Sequence, residues 1–287
     1  MGHRIEHSNA NVISLALQIG LPIIVQYRKG SKAVKIVEEI SKRSRSKVLG
    51  VIDFTKTENT SELTGRYILE RTGKPEKREE GPEEVLYVRP KEEDLVAPEW
   101  LLNAYRTNGA KTLIIDNLIS QNEIATKNGI KLLLGEADRF KMPKTLRVIG
   151  MTPKGHGGHL PSVYTSTHSV WGEIMGDEFL DIEADDEEMP IVMTSYAAFV
   201  GKWRMAISAA IRESPTLLRW EVSVEEALHR PVATINSWET AVRMIAAADS
   251  TKSSENVMRA ATEACVGKIR DEDWNLLLSK YKEVFAA

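Results

Sequence analysis

The sequence predicts an α/β fold in which a mostly parallel sheet is flanked by helices and followed by a helical C-terminal region. Short runs that are apolar on both faces recur along the first two thirds of the chain, a pattern typical of strands buried in a parallel sheet. Amphipathic stretches with helical spacing separate these runs, and this alternation favours a three-layer α/β arrangement. After residue 190 only helical patterns remain, which predicts the C-terminal helices.

The predicted strands of the sheet are residues 23–27, 48–54, 85–88, 112–116 and 145–151. The helices predicted between them are residues 32–44, 61–71, 98–107 and 123–140. A β-hairpin is predicted from residues 169–174 and 178–182, joined by a turn at residues 175–177. The predicted C-terminal helices are residues 197–212, 237–248, 253–269 and 271–285, and Ser237 is expected to be the N-cap of the second of these.

A strongly acidic segment suggests where the chain divides. Eight of the twelve residues from 177 to 188 are acidic, and Pro190 follows them. We therefore predict an α/β core over residues 1–189 and a helical region over residues 190–287.

The composition is that of an ordinary soluble globular protein. The 287 residues are 42% hydrophobic and 28% charged. A formal net charge of -3 excludes a globally basic nucleic-acid coat but leaves a local basic patch open. No apolar run has the length of a membrane span, and the first twenty residues lack the features of a signal peptide. These features predict a cytoplasmic protein with no membrane partner.

The single cysteine restricts the chemistry further. Cys265 can form no disulfide within the chain and no cysteine-based zinc cluster, and its place in an amphipathic helix predicts a small buried side chain. No G-x-S-x-G motif indicates a serine hydrolase. His156, His159 and His168 lie close together in sequence, but their glycine-rich loop is more typical of surface histidines than of a metal site, so no metal site is predicted.

The turn after the first strand is the position where a doubly wound sheet binds phosphate. A helix N-terminus there offers backbone N–H groups to an anion, and Gly30, Ser31 and Lys32 are the candidate ligand-binding residues. A Walker A loop would need glycines at Gln26 and Ser31 and a hydroxyl at Ala33, and all three are missing. A plain turn with solvated basic side chains remains the alternative.

Two strands end in an aspartate. Residues 112–116 have the apolar character of a Walker B strand, and Asp116 at its end could hold Mg²⁺ or could instead cap the next turn. Asp53 ends the strand at residues 48–54, where a turn-capping role is favoured over ligand contact. Residues 28–47 carry eight basic and two acidic side chains, which fits either a nucleic-acid surface or a solvated helix face.

The order of these pieces over about residues 20–185 resembles the RecA-like superfamily, which includes the archaeal recombinase RadA and the KaiC-type ATPases. In that family the strand after Walker B ends in a residue that senses the γ-phosphate, a place taken here by Thr152. The segment Gly157-Gly158-His159-Leu160 resembles a loop that touches single-stranded DNA in the recombinases. This sequence departs from the family in lacking Walker A and a clear catalytic glutamate, for which Glu58 is the nearest candidate.

The resemblance implies a divergent, archaeal, hydrolysis-deficient protein with ATP and Mg²⁺ as its expected ligands. It would assist DNA recombination, repair or replication by binding single-stranded DNA or a partner such as a recombinase or replication protein, and it could form oligomers. The residues expected to contact nucleic acid are Arg28, Lys29, Lys154, His156, His159 and Tyr164. Two alternatives remain open: a KaiC-like regulatory or scaffold protein that binds no DNA, and an enzyme acting on a small phosphorylated ligand.

Overall fold

The computed structural model describes residues 3–56, 61–67, 76–78, 85–87, 95–119, 123–137, 140–154, 168–174, 193–218 and 230–286. The strands are β1 (Ile23–Tyr27), β2 (Lys47–Asp53), β3 (Arg66–Tyr67), β4 (Glu76–Arg78), β5 (Val85–Tyr87), β6 (Leu95–Val96), β7 (Lys111–Asp116), β8 (Leu146–Pro153) and β9 (Val170–Ile174). The helices are α1 (His3–Ile19), α2 (Ala33–Arg43), α3 (Ser61–Thr64), α4 (Glu99–Arg106), α5 (Glu123–Leu133), α6 (Met193–Glu213), α7 (Ile235–Ser250), α8 (Glu255–Val266) and α9 (Asp271–Ala286), and a 3-10 turn spans Pro215–Leu217.

The centre of the molecule is a five-stranded, all-parallel sheet with the strand order β2-β7-β8-β1-β9. The predicted fold class, an α/β sheet flanked by helices with a helical C-terminal region, is confirmed. β8 lies between β1 and β7, with Gln26 beside Thr152 and Ile114 beside Ile149. Because the strands are parallel, the carboxyl ends of β1, β2, β7 and β8 all open onto one edge of the sheet.

Both faces of the sheet are covered, as the apolar strand sequences predict. Ile23 and Val25 pack into one buried cluster, which also takes in α1, α2 and the C-terminal helices. Ile24, between them in sequence, packs into a second cluster on the opposite face with residues of α4 and α5. Successive side chains of a strand point to opposite faces, so a strand without polar positions must be buried on both.

One sequence prediction about strand pairing is wrong. The strand at residues 85–87 is not part of the parallel sheet, because it pairs antiparallel with β4 in a separate two-stranded ribbon. The strand predicted at residues 169–174 exists as β9 and pairs parallel with β1 at the edge of the main sheet. Its predicted hairpin partner, residues 178–182, lies outside the described residues, so the hairpin stays a prediction. A short apolar run indicates a strand but does not indicate its partner, which depends on contacts distant in sequence.

Several helices begin or end elsewhere than predicted. The helix predicted over residues 61–71 stops at Thr64, because Gly65 adopts a φ of 80° that ends the helix, and β3 follows. The helix predicted over residues 123–140 ends at Leu133, and Gly135 follows with a φ of 85°. The N-cap of α7 is Thr234, whose side chain accepts a hydrogen bond from the backbone N–H of Ser237, so Ser237 lies inside the helix.

Helix α1 was not predicted, although it is central to the core. Ile13 and Ala16 are fully buried, and an added Cβ on Gly172 of β9 would collide with Ile13. At the other end of the chain, Cys265 is buried as expected, and burial raises the pKa of its thiol. Among the described residues, none of the helices combines the length and the apolar character needed to cross a bilayer.

Candidate functional site

The loop between β1 and α2 is a tight turn. The backbone N–H of Ser31 donates to the carbonyl oxygen of Arg28 at 3.0 Å, and Gly30 adopts a φ of 88° within the turn. The backbone N–H of Arg28 donates to Ile174 of β9 at 3.1 Å, which fixes the start of the loop to the sheet. A Walker A loop instead directs successive N–H groups at a phosphate. Here the N–H of Ser31 is used inside the turn.

Helix α2 begins directly after this turn without a capping side chain. Lys32 is the N-cap residue and makes no side-chain capping hydrogen bond. The first N–H groups of a helix have no partner within the helix and carry a partial positive charge. Ala33 and Val34, which begin the helix, line a cavity at this edge of the sheet. The first turn of α2 therefore faces a space that an anion could occupy.

This cavity, which we call the crevice, has a volume of about 340 Å³. It is lined by the β1–α2 turn, the first residues of α2, the last residues of β1, β7 and β8, and residues just after β2 and β7: Tyr27, Lys29, Gly30, Ser31, Ala33, Val34, Thr55, Asp116, Asn117 and Pro153. The volume lies at the lower end of the range for small-molecule sites, which is about 300–1,000 Å³. The crevice is thus large enough for a small phosphorylated ligand or for part of a nucleotide.

Asp116 is the last residue of β7 and lines the crevice. Its Oδ1 accepts a hydrogen bond of 2.8 Å from the hydroxyl of Tyr27 and another of 2.8 Å from the backbone N–H of Asn117. Burial raises the pKa of Asp116, and these two hydrogen bonds only partly oppose that effect. The pKa of the Tyr27 phenol is also raised, first by burial and then by its hydrogen bond to Asp116.

Asp53 lies at the end of the neighbouring strand β2 and is hydrogen bonded by several donors. Its Oδ1 accepts from the backbone N–H of Thr55 at 3.0 Å, from the hydroxyl of Thr55 at 2.7 Å and from the side-chain amide of Asn117 at 3.0 Å. Its Oδ2 lies 3.3 Å from the ammonium of Lys56. Burial opposes ionisation of Asp53, but the bonds from Thr55, Lys56 and Asn117 leave its pKa lowered overall. The favoured interpretation, that Asp53 caps the following turn, is confirmed.

Asn117 connects the two carboxylates. Its backbone N–H binds Asp116, and its side-chain amide binds Asp53. Asn117 has a φ of 53°, in the left-handed region that asparagine adopts more readily than most residues. The next residue, Leu118, donates its N–H to the carbonyl oxygen of Met151 at 2.9 Å. The turn after β7 is therefore held to both β2 and β8.

The structure brings some of the predicted site residues together and leaves others apart. Gly30, Ser31 and Asp116 line the crevice. Thr152 is buried inside β8, and Lys32 is exposed on the surface; neither belongs to the lining. Glu58, His156, His159 and Tyr164 lie outside the described residues.

The predicted basic residues differ in their surroundings. Arg28 and Lys29 are exposed in the β1–α2 turn. Lys154 lies at the same edge of the sheet, because its backbone N–H donates to the carbonyl oxygen of Tyr27 at 2.8 Å. Its ammonium, however, forms an ion pair with the carboxylate of Glu173. Thus one of the cations expected to bind nucleic acid already has an acidic partner within the protein.

Sequence reasoning missed Tyr27, Thr55 and Asn117 as parts of the site. A usable signal existed for Tyr27, because it is the last residue of a strand whose carboxyl end faces the crevice. For Asn117 the signal was its position directly after Asp116, at the end of the same strand. Neither signal shows that the two residues contact carboxylates of different strands.

Comparisons with known proteins add little to this geometry. No protein-family model matches the sequence, and no curated protein matches it. Among solved structures, "a putative ATPase" from Cytophaga hutchinsonii is 8% identical and matches 99% of this chain and 93% of that chain, with a TM-score of 0.42. A TM-score this low assigns neither a family nor an activity. The parallel sheet itself is compatible with a P-loop ATPase-like fold.

Proposed function

We propose that this protein binds a phosphate-bearing ligand in the crevice, hydrolyses ATP very slowly or not at all, and assists DNA recombination, repair or replication by binding DNA or a partner protein. The hydrogen bond between Tyr27 and Asp116 is the observation that carries the proposal. It engages the carboxylate that a hydrolysing P-loop enzyme would direct at its magnesium ion. The crevice offers room for a phosphate-bearing ligand, while the aspartate that would hold magnesium makes a structural contact with Tyr27.

The β1–α2 turn supports the absence of fast hydrolysis. Ala33 stands where a P-loop enzyme has the hydroxyl that binds magnesium, and Ala33 is buried. The tight turn closed by Ser31 and Arg28 also leaves fewer N–H groups to surround a phosphate than a Walker A loop provides. Binding of an anion at the start of α2 needs neither of these features.

The nucleic-acid part of the proposal rests on exposed charge. Arg28 and Lys29 lie at the rim of the same sheet edge from which Lys154 leaves β8. Basic side chains grouped on one side of a molecule attract phosphate backbones without sequence preference. Residues 28–47 carry a local charge of +6, from eight basic and two acidic side chains.

The ion pair between Lys154 and Glu173 favours a second candidate function. Glu173 neutralises a lysine that DNA binding would need, so the same surface could serve a regulatory or scaffold protein that recognises another protein instead. In this KaiC-like alternative the protein still binds a ligand in the crevice but does not bind DNA.

An ATPase measurement tests the hydrolytic part. We expect turnover well below about 1 per second, an ordinary enzyme rate, with or without Mg²⁺. Magnesium-dependent turnover at or above that rate, abolished by Asp116→Asn but not by the exposed control Glu272→Gln, would overturn the proposal.

Binding of a labelled single strand at low and moderate salt tests the nucleic-acid part. Arg28→Ala and Lys29→Ala should each weaken binding and reduce the salt slope by about 1, whereas the exposed Lys268→Ala on the α8–α9 connection should not. If the wild-type protein binds no single strand even at low salt, the role in recombination falls and the regulatory candidate replaces it.

A further inference from the structure

The edge of the sheet opposite the crevice, where the parallel strands begin, is lined with basic side chains. Residues 44–47, 107–111 and 141–147 lead into and begin β2, β7 and β8, and we call these three segments the amino edge. They carry six basic residues and no acidic one: Arg45, Lys47, Lys111, Lys141, Lys144 and Arg147. A charge of +6 is therefore concentrated here, in a chain whose formal net charge is -3.

Backbone hydrogen bonds hold the three segments of the amino edge side by side. The N–H of Lys47 donates to the carbonyl oxygen of Ala110 at 3.0 Å, and the N–H of Lys111 donates to that of Thr145 at 3.0 Å. Lys47 and Lys111 are also direct neighbours in the register of β2 and β7. Like charges at facing positions of a sheet are unfavourable, so an anion bound here would relieve their repulsion.

The cations of the amino edge have neutral partners where they have partners at all. Lys111 is only 5% exposed, and its Nζ donates to the hydroxyl of Thr145 at 2.9 Å. The guanidinium of Arg147 donates to main-chain carbonyl oxygens. Lys47 and Lys144 are exposed and form no ion pair with any residue that the structure describes. The positive charge of this edge is therefore not compensated by carboxylates of the described chain.

Helix ends compensate only a small part of this charge. Helices α1, α2, α4 and α5 end at the amino edge, and the C-terminus of a helix carries a partial negative charge of about half a unit. Four such ends contribute about -2, against +6 from the side chains. On the other side, the pKa of Arg147 is lowered first by burial and then by the charge of Arg243 on α7, so one more cation adds to the positive field.

An exposed aromatic ring lies among these cations. Tyr105, near the end of α4, is 57% exposed, and its hydroxyl donates to the carbonyl oxygen of Lys141. Proteins that bind single-stranded nucleic acid combine cations that attract the phosphates with aromatic faces on which bases stack. A surface for an acidic protein needs the cations but not the ring. The amino edge has both features.

We propose that the amino edge binds single-stranded nucleic acid, with phosphates on Lys47, Lys141 and Lys144 and a base stacked on Tyr105. Neighbouring strands lie about 4.8 Å apart, so the basic residues that begin β2 and β8 lie about 10 Å apart, farther than a single phosphate reaches. This inference rests on the proposed function, that the protein binds DNA. It adds a second surface on the side of the sheet opposite Arg28 and Lys29.

Binding of a labelled oligothymidylate at low and moderate salt tests the cations. The double variant Lys47→Ala with Lys144→Ala should bind about tenfold or more weakly and should reduce the salt slope by about 2, one for each phosphate contact. The matched control is Lys268→Ala with Lys282→Ala, which removes the same charge from exposed positions of the C-terminal helical region. We expect the control to bind within about twofold of the wild-type protein, and equal effects of the two double variants would overturn the inference.

The aromatic ring is tested by two substitutions of Tyr105. Tyr105→Ala and Tyr105→Phe both remove the hydrogen bond to Lys141, but only Tyr105→Ala removes the ring. We expect Tyr105→Ala to weaken binding of the oligothymidylate by at least about fivefold, and Tyr105→Phe to bind like the wild-type protein. Equal binding by Tyr105→Ala and the wild-type protein would contradict the stacked base.

Competition with polyglutamate separates nucleic acid from an acidic protein surface, because this polymer carries negative charge without bases. Polyglutamate that displaces the oligothymidylate as well as an unlabelled oligothymidylate of equal charge would overturn the inference in favour of an acidic protein. Binding that only Arg28→Ala and Lys29→Ala weaken would overturn the inference and leave the proposed function standing. Absence of binding by the wild-type protein at low salt would instead remove the DNA-binding role itself, together with the inference that rests on it.

Discussion

The hydroxyl of Tyr27 donates a hydrogen bond of 2.8 Å to Oδ1 of Asp116, and this bond joins β1 to β7 across the intervening strand β8. Strands that are not neighbours share no backbone hydrogen bonds, so a side-chain contact is the direct link between their carboxyl ends. Asp116 is half-buried at this contact, and burial raises its pKa although the hydrogen bond from Tyr27 acts in the opposite direction.

Tyr27→Phe should reduce the free energy of unfolding by about 1.5–3 kcal/mol, the range for a hydrogen bond to a charged group. The phenol of Tyr27 has a raised pKa in the folded state, so its contribution is present below the ordinary tyrosine pKa and is lost as the pH rises through the folded value. Denaturant unfolding at neutral and alkaline pH measures both effects. A double-mutant cycle with Asp116→Ala should show coupling between the two sites, and strictly additive losses would contradict the assigned bond.

Asp53→Asn should lower stability at neutral pH by about 1–2 kcal/mol, because the charged acceptor of the Thr55, Asn117 and Lys56 donors is lost. The pKa of Asp53 is lowered on folding, so its stabilising effect is present above the ordinary aspartate value of 3.8 and disappears as the pH falls through the folded value. The difference in the free energy of unfolding between Asp53→Asn and the wild-type protein should therefore disappear at acid pH.

Asp116→Asn is the matched comparison for that prediction. The pKa of Asp116 is raised by burial, so folding disfavours its charged form and this aspartate costs stability as the pH rises. The amide oxygen of asparagine can still accept from Tyr27 and Asn117. We expect Asp116→Asn to be neutral or stabilising at pH 7 in thermal unfolding, and a loss as large as that of Asp53→Asn would contradict the different roles of the two carboxylates.

Gly150→Ala should lower stability by about 1–3 kcal/mol, a typical cost of overpacking a core. A Cβ at Gly150 in β8 would overlap the side chain of Leu118, which is fully buried, so that moving it would disturb its packed neighbours. Gly50→Ala in β2 is the control, because a Cβ there meets no atom within 4 Å. The two denaturation midpoints should differ, and equal midpoints would show that Leu118 can be repacked without cost.

Trp274→Ala should cost about 3 kcal/mol or more, because the indole of α9 is only 2% exposed. Its Nε1 also donates to Glu255 of α8 at 2.9 Å. The same substitution at the neighbouring exposed residue, Asn275→Ala, should leave the melting temperature nearly unchanged. A melting curve unaffected by Trp274→Ala would mean that this face of the helix is not packed in the same chain.

Much of the fold could be predicted because buried strands and helix faces show as apolar patterns in consecutive residues. Strands such as β1 and β7 carry consecutive apolar residues, at positions 23–25 and 113–115, since both faces of the sheet are covered. The apolar face of α9, with Trp274 and Leu277 buried, follows the helical repeat in the same way. Helix ends were less predictable, because Gly65 and Gly135 stop helices through their φ angles rather than through any change in the apolar pattern.

The amino-acid sequence by itself determined the fold class, the main strands, the buried C-terminal helices and the place of Asp116 at the end of a strand. It also determined that no Walker A pattern is present. Only the tertiary structure decided the partners: β9 beside β1, β5 beside β4, and Tyr27 bonded to Asp116. The apolar repeat of a strand or helix and the residue that ends it are encoded by residues close in sequence. A contact between residues 27 and 116 depends instead on the order of the strands in the sheet, which no local pattern specifies.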